Sequence, residues 1–282
     1  MLAILGGVGA ALCWATTTLV ASRASRLIDS RSLVASVMTV GLLVAAPAAV
    51  LSGVPENLDG GSVGWLVVSG AGNVGGLLCT YSALRIGKVG LVAPIASTEG
   101  AIAAILSIIA GERLVPGAGP ALAAIAVGVA LATVSRADTD KARRSDARAA
   151  LLAVAAAISF GFSLYATGRI GRDLGIAWAL LPPRVLGVVA IAVPLALARR
   201  WHMQRAALPL VVVCGLCEVL GFASFALGAR HGLAVSAVLA SQFAAIAAVG
   251  AFLTFHERLA RIQVVGVATI VVGVSVLTAL NG

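Results

Sequence analysis

Long apolar segments follow one another along the whole of this sequence. Each contains about twenty mostly apolar residues, the length that an α-helix needs to cross the hydrocarbon core of a bilayer. Only 11% of the 282 residues are charged, whereas a soluble domain carries about a quarter. The chain therefore cannot cover its surface with polar groups, and lipid must be its solvent. The pattern predicts ten spans, near residues 2–21, 33–52, 62–84, 90–110, 117–135, 149–168, 177–198, 206–228, 233–254 and 262–280.

The basic residues predict how these spans are oriented. The loops after the odd-numbered spans hold fifteen Lys and Arg residues, and the opposite loops hold four. Cytoplasmic loops are enriched in Lys and Arg, so we expect both termini to lie in the periplasm, with the chain in a bacterial inner membrane. Residues 1–21 lack the basic start of a secretory signal, which favours a retained first helix.

The net charge of +9 arises from basic residues scattered through short loops. No basic face with interleaved aromatics is present in the sequence, so no nucleic-acid partner is predicted.

The four cysteines lie inside apolar segments, which is typical of buried thiols and not of a disulfide framework. Cys214 and Cys217 have the spacing of a metal or redox pair. No second pair or histidine lies nearby, so neither a metal nor a cofactor is predicted.

The second half of the sequence repeats the first. At an offset of 145 residues, Glu112-Arg113-Leu114 matches Glu257-Arg258-Leu259, and chance matches of charged residues are improbable because such residues are scarce. We expect both glutamates to form interfacial ion pairs with the neighbouring arginines. The same offset pairs Gly70 with Gly215, Asn73 with Glu218 and Gly76 with Gly221, and an offset of 146 pairs Trp14 with Phe160.

An odd number of spans in each copy makes the second copy enter the membrane from the opposite side. This arrangement is an inverted-topology repeat, which many transporters use to expose one central site to either face. The predicted fold is therefore an all-α integral membrane protein with ten transmembrane helices in two inverted five-helix repeats. Residues 1–135 form the first repeat, 136–148 a charged cytoplasmic linker, and 149–282 the second repeat.

Short motifs occur in a fixed order along the chain. They are Trp14 in the first span, Ala83-Leu84 with Gly87 after the third, Gly111 to Leu114 closing the fourth, and a weaker echo at His256 to Leu259 closing the ninth. In this order the chain resembles the drug/metabolite transporter superfamily, specifically its EamA-type ten-helix exporters. The resemblance implies that spans 1, 3, 4, 6, 8 and 9 line a central cavity.

Three ionisable residues lie within predicted spans: Glu99, Arg184 and Glu218. A charge near the bilayer centre costs at least about 2.5 kcal/mol, so such residues usually face the protein interior or a wet cavity. Either glutamate can attract the ammonium group of an amino acid, or take up a proton when dehydrated. The alternative is a hydrogen-bonded carboxyl that ties helices together. Asn73, the repeat equivalent of Glu218, is expected at the same depth.

Arg184 follows Pro182-Pro183, which we expect to kink or break the seventh span. Its guanidinium can bind a substrate carboxylate or neutralise a glutamate. The alternative is that it extends to the nearer membrane interface.

Aromatic residues are candidates for the cavity wall, although aromatics in membrane helices more often pack or anchor. Gln242 is a candidate polar contact. Glycines in the third and eighth spans permit close helix approach. The candidate wall residues are Trp14, Tyr81, Phe160, Tyr165, Phe222 and Phe225.

These features predict a secondary transporter that exports small metabolites, with amino acids the first candidate substrate and protons a candidate coupling ion. A multidrug exporter of lipophilic cations is the alternative within this class, and a channel or membrane scaffold is the alternative of another class. An enzyme is not predicted, because the sequence has no His-Glu-x-x-His, no Gly-x-Ser-x-Gly and no paired aspartates within a span.

Overall fold

Helices account for every regular element in the part of the chain that the computed structural model describes. That part comprises residues 1–53, 60–111, 116–133, 140–170, 176–229, 231, 239–240, 242–257 and 259–281. The helices of the first half are α1 (Leu2–Leu27), α2 (Ser30–Ser52), α3 (Gly60–Ile86), α4 (Val89–Ala96), α5 (Glu99–Ile109) and α6 (Ala118–Thr133). Those of the second half are α7 (Asp140–Ile170), α8 (Ile176–Gly187), α9 (Val193–Leu197), α10 (Leu208–Ala229), α11 (Phe243–Phe255) and α12 (Arg261–Asn281).

Six helical stretches are long and apolar enough to cross a membrane, and four shorter apolar helices accompany them. The all-helical membrane fold predicted from the sequence is therefore confirmed. The ten-span count stays a prediction, since part of the ninth predicted span lies outside the described residues.

Two predicted spans contain irregularities that differ from the prediction. The fourth span is divided at Ser97 and Thr98, whose hydroxyls donate to the carbonyls of Pro94 and Ile95 at 2.8 Å each and end α4 there. Glu99 is therefore the first residue of α5 and does not lie in mid-helix.

The double proline does not break the seventh span. Pro182 and Pro183 lie inside α8, and a π-helical turn at Val188–Ala192 follows, leading into α9. A proline lacks the backbone donor but holds φ near the helical value, so α8 continues through the pair. The expected break is wrong, and the irregularity lies one turn later.

The charged segment before the second half is partly helical. Its residues from Asp140 onward form the first turns of α7, and Arg143, Arg144 and Arg148 are exposed. The start of this segment lies outside the described residues, and the repeat boundaries stay a prediction.

Helix packing follows the repeat. Helix α1 packs against α10, and the equivalent pair α7 and α3 packs in the same way. Hydrogen bonds occur at matching positions in the two pairs: the Cys214 thiol donates to the Thr17 carbonyl at 3.7 Å, and the Ser163 hydroxyl donates to the Ser69 carbonyl at 2.7 Å. Thr17 and Ser163 differ by 146 in number, and Ser69 and Cys214 by 145. The two contacts between the halves are therefore related by the repeat.

Equivalent helices from the two halves pack antiparallel. Along α6 and α12, a methyl group on Gly128 would lie 2.9 Å from the Gly266 carbonyl oxygen, and one on Gly273 would lie 3.4 Å from that of Ala121. Helices α6 and α12 therefore run in opposite directions.

Hydrogen bonds at the two ends of α2 show that α2 also runs antiparallel to its repeat equivalent, the stretch formed by α8 and α9. The Trp178 indole at the start of α8 donates to the Gly53 carbonyl after α2 at 2.7 Å. The Trp201 indole beyond α9 donates to the Ser36 hydroxyl near the start of α2 at 2.9 Å. The halves therefore run antiparallel, as an inverted repeat requires.

Asp29 begins α2 by accepting a hydrogen bond from the backbone N–H of Ser32 at 3.0 Å. Burial alone would raise the pKa of Asp29, but the hydrogen bonds from Ser32 hold that pKa below its ordinary value. The carboxylate therefore stays charged at neutral pH and caps the helix.

Candidate functional site

Three polar side chains are buried where helices of the two halves meet. Arg184 of α8 is 1% exposed, Glu218 of α10 is 8% exposed, and Tyr81 of α3 is 1% exposed. Each interacts electrostatically with the other two. These residues come from three separate regions of the sequence, and only the packing of α8, α10 and α3 brings them together.

Arg184 is held between α2 and α10. Its guanidinium carbon lies 5.2 Å from the centre of the Phe222 ring, a cation–π distance. Its side chain also passes Gly41, where a methyl group would lie 3.2 Å from the Arg184 Cγ atom. The interpretation that Arg184 extends to the membrane interface is wrong, because the guanidinium is enclosed by α2, α8 and α10.

Several buried polar atoms lack a hydrogen-bond partner among the described residues, two of them in this cluster. They include Nη2 of Arg184, the hydroxyl of Tyr81 and Oδ1 of Asn73. A buried polar atom without a partner costs about 1–3 kcal/mol, and native structures leave few such atoms unpaired. These atoms are therefore available to a polar ligand.

Aromatic rings form a wall beside the charged pair. The Trp14 ring lies 5.2 Å from that of Phe222 and 6.1 Å from those of Phe225 and Phe243, measured between centroids. Trp14 fits there because position 221 is glycine: a methyl group on Gly221 would lie 2.6 Å from the Trp14 indole nitrogen. The small residue on α10 thus decides where the large ring on α1 can lie.

Glu99 and Asn73 were also predicted to belong to the site. Glu99 is partly exposed at the start of α5 and interacts electrostatically with Glu218. Asn73 is buried at the middle of α3, one helix turn from Gly76.

The remaining predicted residues have contacts of their own. Phe160 packs over Gly76 of α3. The amide nitrogen of Gln242 donates to the Ser275 hydroxyl at 2.6 Å, tying the start of α11 to α12. The Tyr165 ring lies 5.9 Å from that of Trp65. The contact of Tyr165 is thus with the first turns of α3.

Some neighbours of the site had no signal in the sequence. Phe243 is one apolar residue among many, and only the tertiary structure places its ring against Trp14. The thiols of Cys13 and Cys217 lie within hydrogen-bonding distance of each other, between α1 and α10.

Glu257 does have a sequence signal, the repeated Glu-Arg-Leu triplet, and it makes a contact that was not predicted. Its carboxylate accepts a hydrogen bond from the backbone N–H of Gly90 at 3.1 Å. A carboxylate at this position satisfies a free donor at the start of α4. Arg258 and the equivalent triplet, Glu112-Arg113-Leu114, lie outside the described residues.

Residues 1–134 match the model of the EamA-like transporter family. These residues make up slightly less than half of the chain and are similar to that family. EamA-like proteins form a family of membrane transporters, and the match is consistent with the drug/metabolite transporter superfamily. Together with the long apolar helices, the match supports a multi-pass membrane protein of the transporter type.

Among the solved structures with a similar fold is a crystal structure of a protein that matches this chain with a TM-score of 0.65 at 19% sequence identity. The match covers 97% of this chain and 95% of the other. At this identity the similarity shows the fold alone. A search of curated proteins finds no match.

Proposed function

We propose that this protein is a secondary transporter that exports small metabolites, with amino acids as its substrates, across a bacterial inner membrane. The observation that carries the proposal is the oppositely charged pair Arg184 and Glu218, buried between antiparallel halves beside the Trp14 wall. Burying two charges costs several kcal/mol for each ion before their attraction is counted. Such a pair needs a reason other than stability.

A zwitterion suits this pair chemically. The unpartnered Nη2 of Arg184 can donate to a substrate carboxylate, and the Glu218 carboxylate can accept from a substrate ammonium group. The aromatic wall of Trp14 and Phe222 can cover the substrate side chain. An amino acid would thus bring an opposite charge into contact with each of the two buried side chains.

The inverted repeat supports alternating access as the mechanism, because two antiparallel halves can open in turn to either face. Glu99, at the start of α5 and coupled electrostatically to Glu218, is the candidate to carry a proton. The basic-residue asymmetry supports periplasmic termini.

Counterflow in proteoliposomes tests the proposal. Vesicles loaded with unlabelled amino acids should accumulate labelled substrate transiently. Arg184→Gln and Glu218→Gln should each slow this by at least about 100-fold, since removing one partner of a buried charge pair costs about 3–5 kcal/mol. Arg205→Gln makes the same chemical change at an exposed position and should leave the rate unchanged. Wild-type rates in both buried-site variants would refute the assignment.

A lipophilic-cation exporter is the second candidate, because Glu218 lies on the same face of α10 as Phe222 and Phe225, whose rings contact Trp14. The same vesicles distinguish the candidates: cationic dye counterflow without amino acid counterflow would favour the second. Flux that is not accelerated by unlabelled substrate on the opposite side would instead indicate a channel, and no flux at all a scaffold.

A further inference from the structure

A second cavity lies away from the central site, on the outer surface of the helix bundle. It is a groove of about 290 Å³ between α2, α3 and α9. Its walls are apolar, from Leu78, Ile191, Pro194 and Leu195, and two arginines, Arg31 and Arg200, lie at one end. Pro194 and both arginines are exposed, so the groove opens toward the surroundings of the bundle.

The backbone explains why Arg200 lies over this groove. Arg199 adopts a left-handed conformation (φ 51°) after α9. The N–H of Arg200 donates to the Leu195 carbonyl and that of Arg199 to the Ala196 carbonyl, at 2.9 and 3.0 Å. This pair of bonds is a Schellman motif, in which the second residue past the helix commonly contacts the last turn. The motif therefore directs Arg200 back over Leu195, which lines the same groove.

Further hydrogen bonds fix the loop that carries Arg200 beside Arg31. The Trp201 indole donates to the Ser36 hydroxyl at 2.9 Å, and the backbone N–H of His202 donates to the Ser32 hydroxyl at 3.1 Å. Both serines belong to the first two turns of α2, which begins next to Arg31. These contacts hold the backbone segments that carry Arg31 and Arg200 side by side.

Neither arginine side chain makes a hydrogen bond or ion pair with any residue in the described part of the chain. Both belong to the set of basic residues predicted to be cytoplasmic. The cytoplasmic leaflet carries anionic lipids, and basic pockets between helices on that side bind their head groups. An apolar groove that opens to lipid and ends at two unpaired cations is complementary to a molecule with one anionic end and a long apolar tail.

We infer that this groove binds an anionic phospholipid, with its phosphate between Arg31 and Arg200 and an acyl chain along Leu78, Ile191, Pro194 and Leu195. The site is separate from the one that carries the proposed transport function. Loss of lipid binding and loss of transport can therefore be told apart.

Thermal unfolding of the detergent-solubilised protein tests this inference, with native mass spectrometry counting the retained lipids. Added phosphatidylglycerol should raise the Tm of the wild type more than phosphatidylcholine does. The double variant Arg31→Gln/Arg200→Gln should retain phosphatidylglycerol roughly 10- to 30-fold more weakly, from about 1 kcal/mol for each arginine. Arg143→Gln/Arg144→Gln removes the same charge from an exposed part of α7 and should bind as the wild type does.

A second variant keeps both charges and closes the groove. Ala198 lines the groove and is exposed, so Ala198→Phe should fill it and weaken phosphatidylglycerol retention while the Tm without lipid stays near that of the wild type. Equal stabilisation of the wild type and the double glutamine variant by phosphatidylglycerol would overturn the inference. Equal stabilisation of the wild type by phosphatidylcholine or by inorganic phosphate would also overturn it, because the occupant would then be any lipid or a free anion.

Discussion

The contact between α1 and α10 and its repeat equivalent between α7 and α3 have the same backbone geometry but different chemistry. Gly221 accommodates the ring of Trp14, and Gly76 accommodates the ring of Phe160. Gly215 approaches the Val37 carbonyl and Gly70 the Pro182 carbonyl, both with 3.2 Å between a would-be methyl group and the oxygen. The equivalent helices therefore make contact at equivalent positions.

Both members of the buried charged pair, Arg184 and Glu218, belong to the second half. Glu218 occupies the position of Asn73, and Arg184 occupies the position of Met38, at offsets of 145 and 146. Met38 and Arg184 pack against equivalent glycines, Gly187 and Gly41. The comparison teaches that the symmetric packing provides the scaffold, while the asymmetric charges provide the chemistry.

The largest expected effect comes from making the two halves chemically alike. Glu218→Asn leaves Arg184 buried without its counter-charge, so we expect a loss of about 3–5 kcal/mol in the free energy of unfolding and loss of transport. Arg184→Met/Glu218→Asn removes both charges and should recover most of the stability but none of the transport. Thermal unfolding and proteoliposome counterflow measure the two quantities. Transport by the double variant at the wild-type rate would show that the charge difference between the halves has no role.

A smaller effect is expected where the packing itself differs between the halves. A methyl group on Gly72 would lie 2.6 Å from the Ser159 carbonyl oxygen and 2.9 Å from the Ser163 nitrogen, and these backbone atoms cannot easily move. The equivalent position on α10 already holds Cys217.

We therefore expect Gly72→Ala to destabilise the protein by about 1–3 kcal/mol through overpacking. Cys217→Ala, the matched change on α10, should cost less than about 1 kcal/mol. Denaturation in detergent compares the two. Equal costs would mean that the interhelix spacing is not the limiting factor at Gly72.

The smallest effect concerns the two equivalent rings. Trp14→Phe gives the first half the ring that the second half has at Phe160, and it removes contact area against Phe222 and Phe243. An aromatic pair contributes about 0.5–1.5 kcal/mol, so we expect the transport KM to rise about two- to tenfold with kcat nearly unchanged. Phe160→Leu, the change at the equivalent position, should alter the KM less. A larger KM change for Phe160→Leu would place the substrate on the α3 and α7 side.

Much of this fold could be predicted from the sequence because membrane helices depend on local properties. Span length, apolar composition and the repeat offset are all readable along the chain, and the structure confirms the helical fold and the close glycine contacts. The division of the fourth span at Ser97 and Thr98 could not be predicted with the same rules, because it depends on which carbonyls two hydroxyls reach.

The candidate site was predictable as a set of residue types but not as an arrangement. Glu218 and Arg184 were recognisable because a charge in hydrocarbon is costly. The enclosure of the Arg184 guanidinium could not be predicted, because a residue at this position in the seventh span could equally extend to the membrane interface. Gln242 and Tyr165 met the same sequence criteria as Trp14, yet one is bound to Ser275 and the other packs on Trp65.

The sequence by itself determined that lipid is the solvent, that the chain is helical and that it is built twice. These properties follow from the free energy of transferring each segment into hydrocarbon, which depends on composition and length. Only the tertiary structure decided that Arg184, Glu218 and Tyr81 share one site and that Arg31 and Arg200 end one groove. Those proximities depend on how helices distant in sequence pack against each other, and the position of a residue along its own helix does not specify its neighbours.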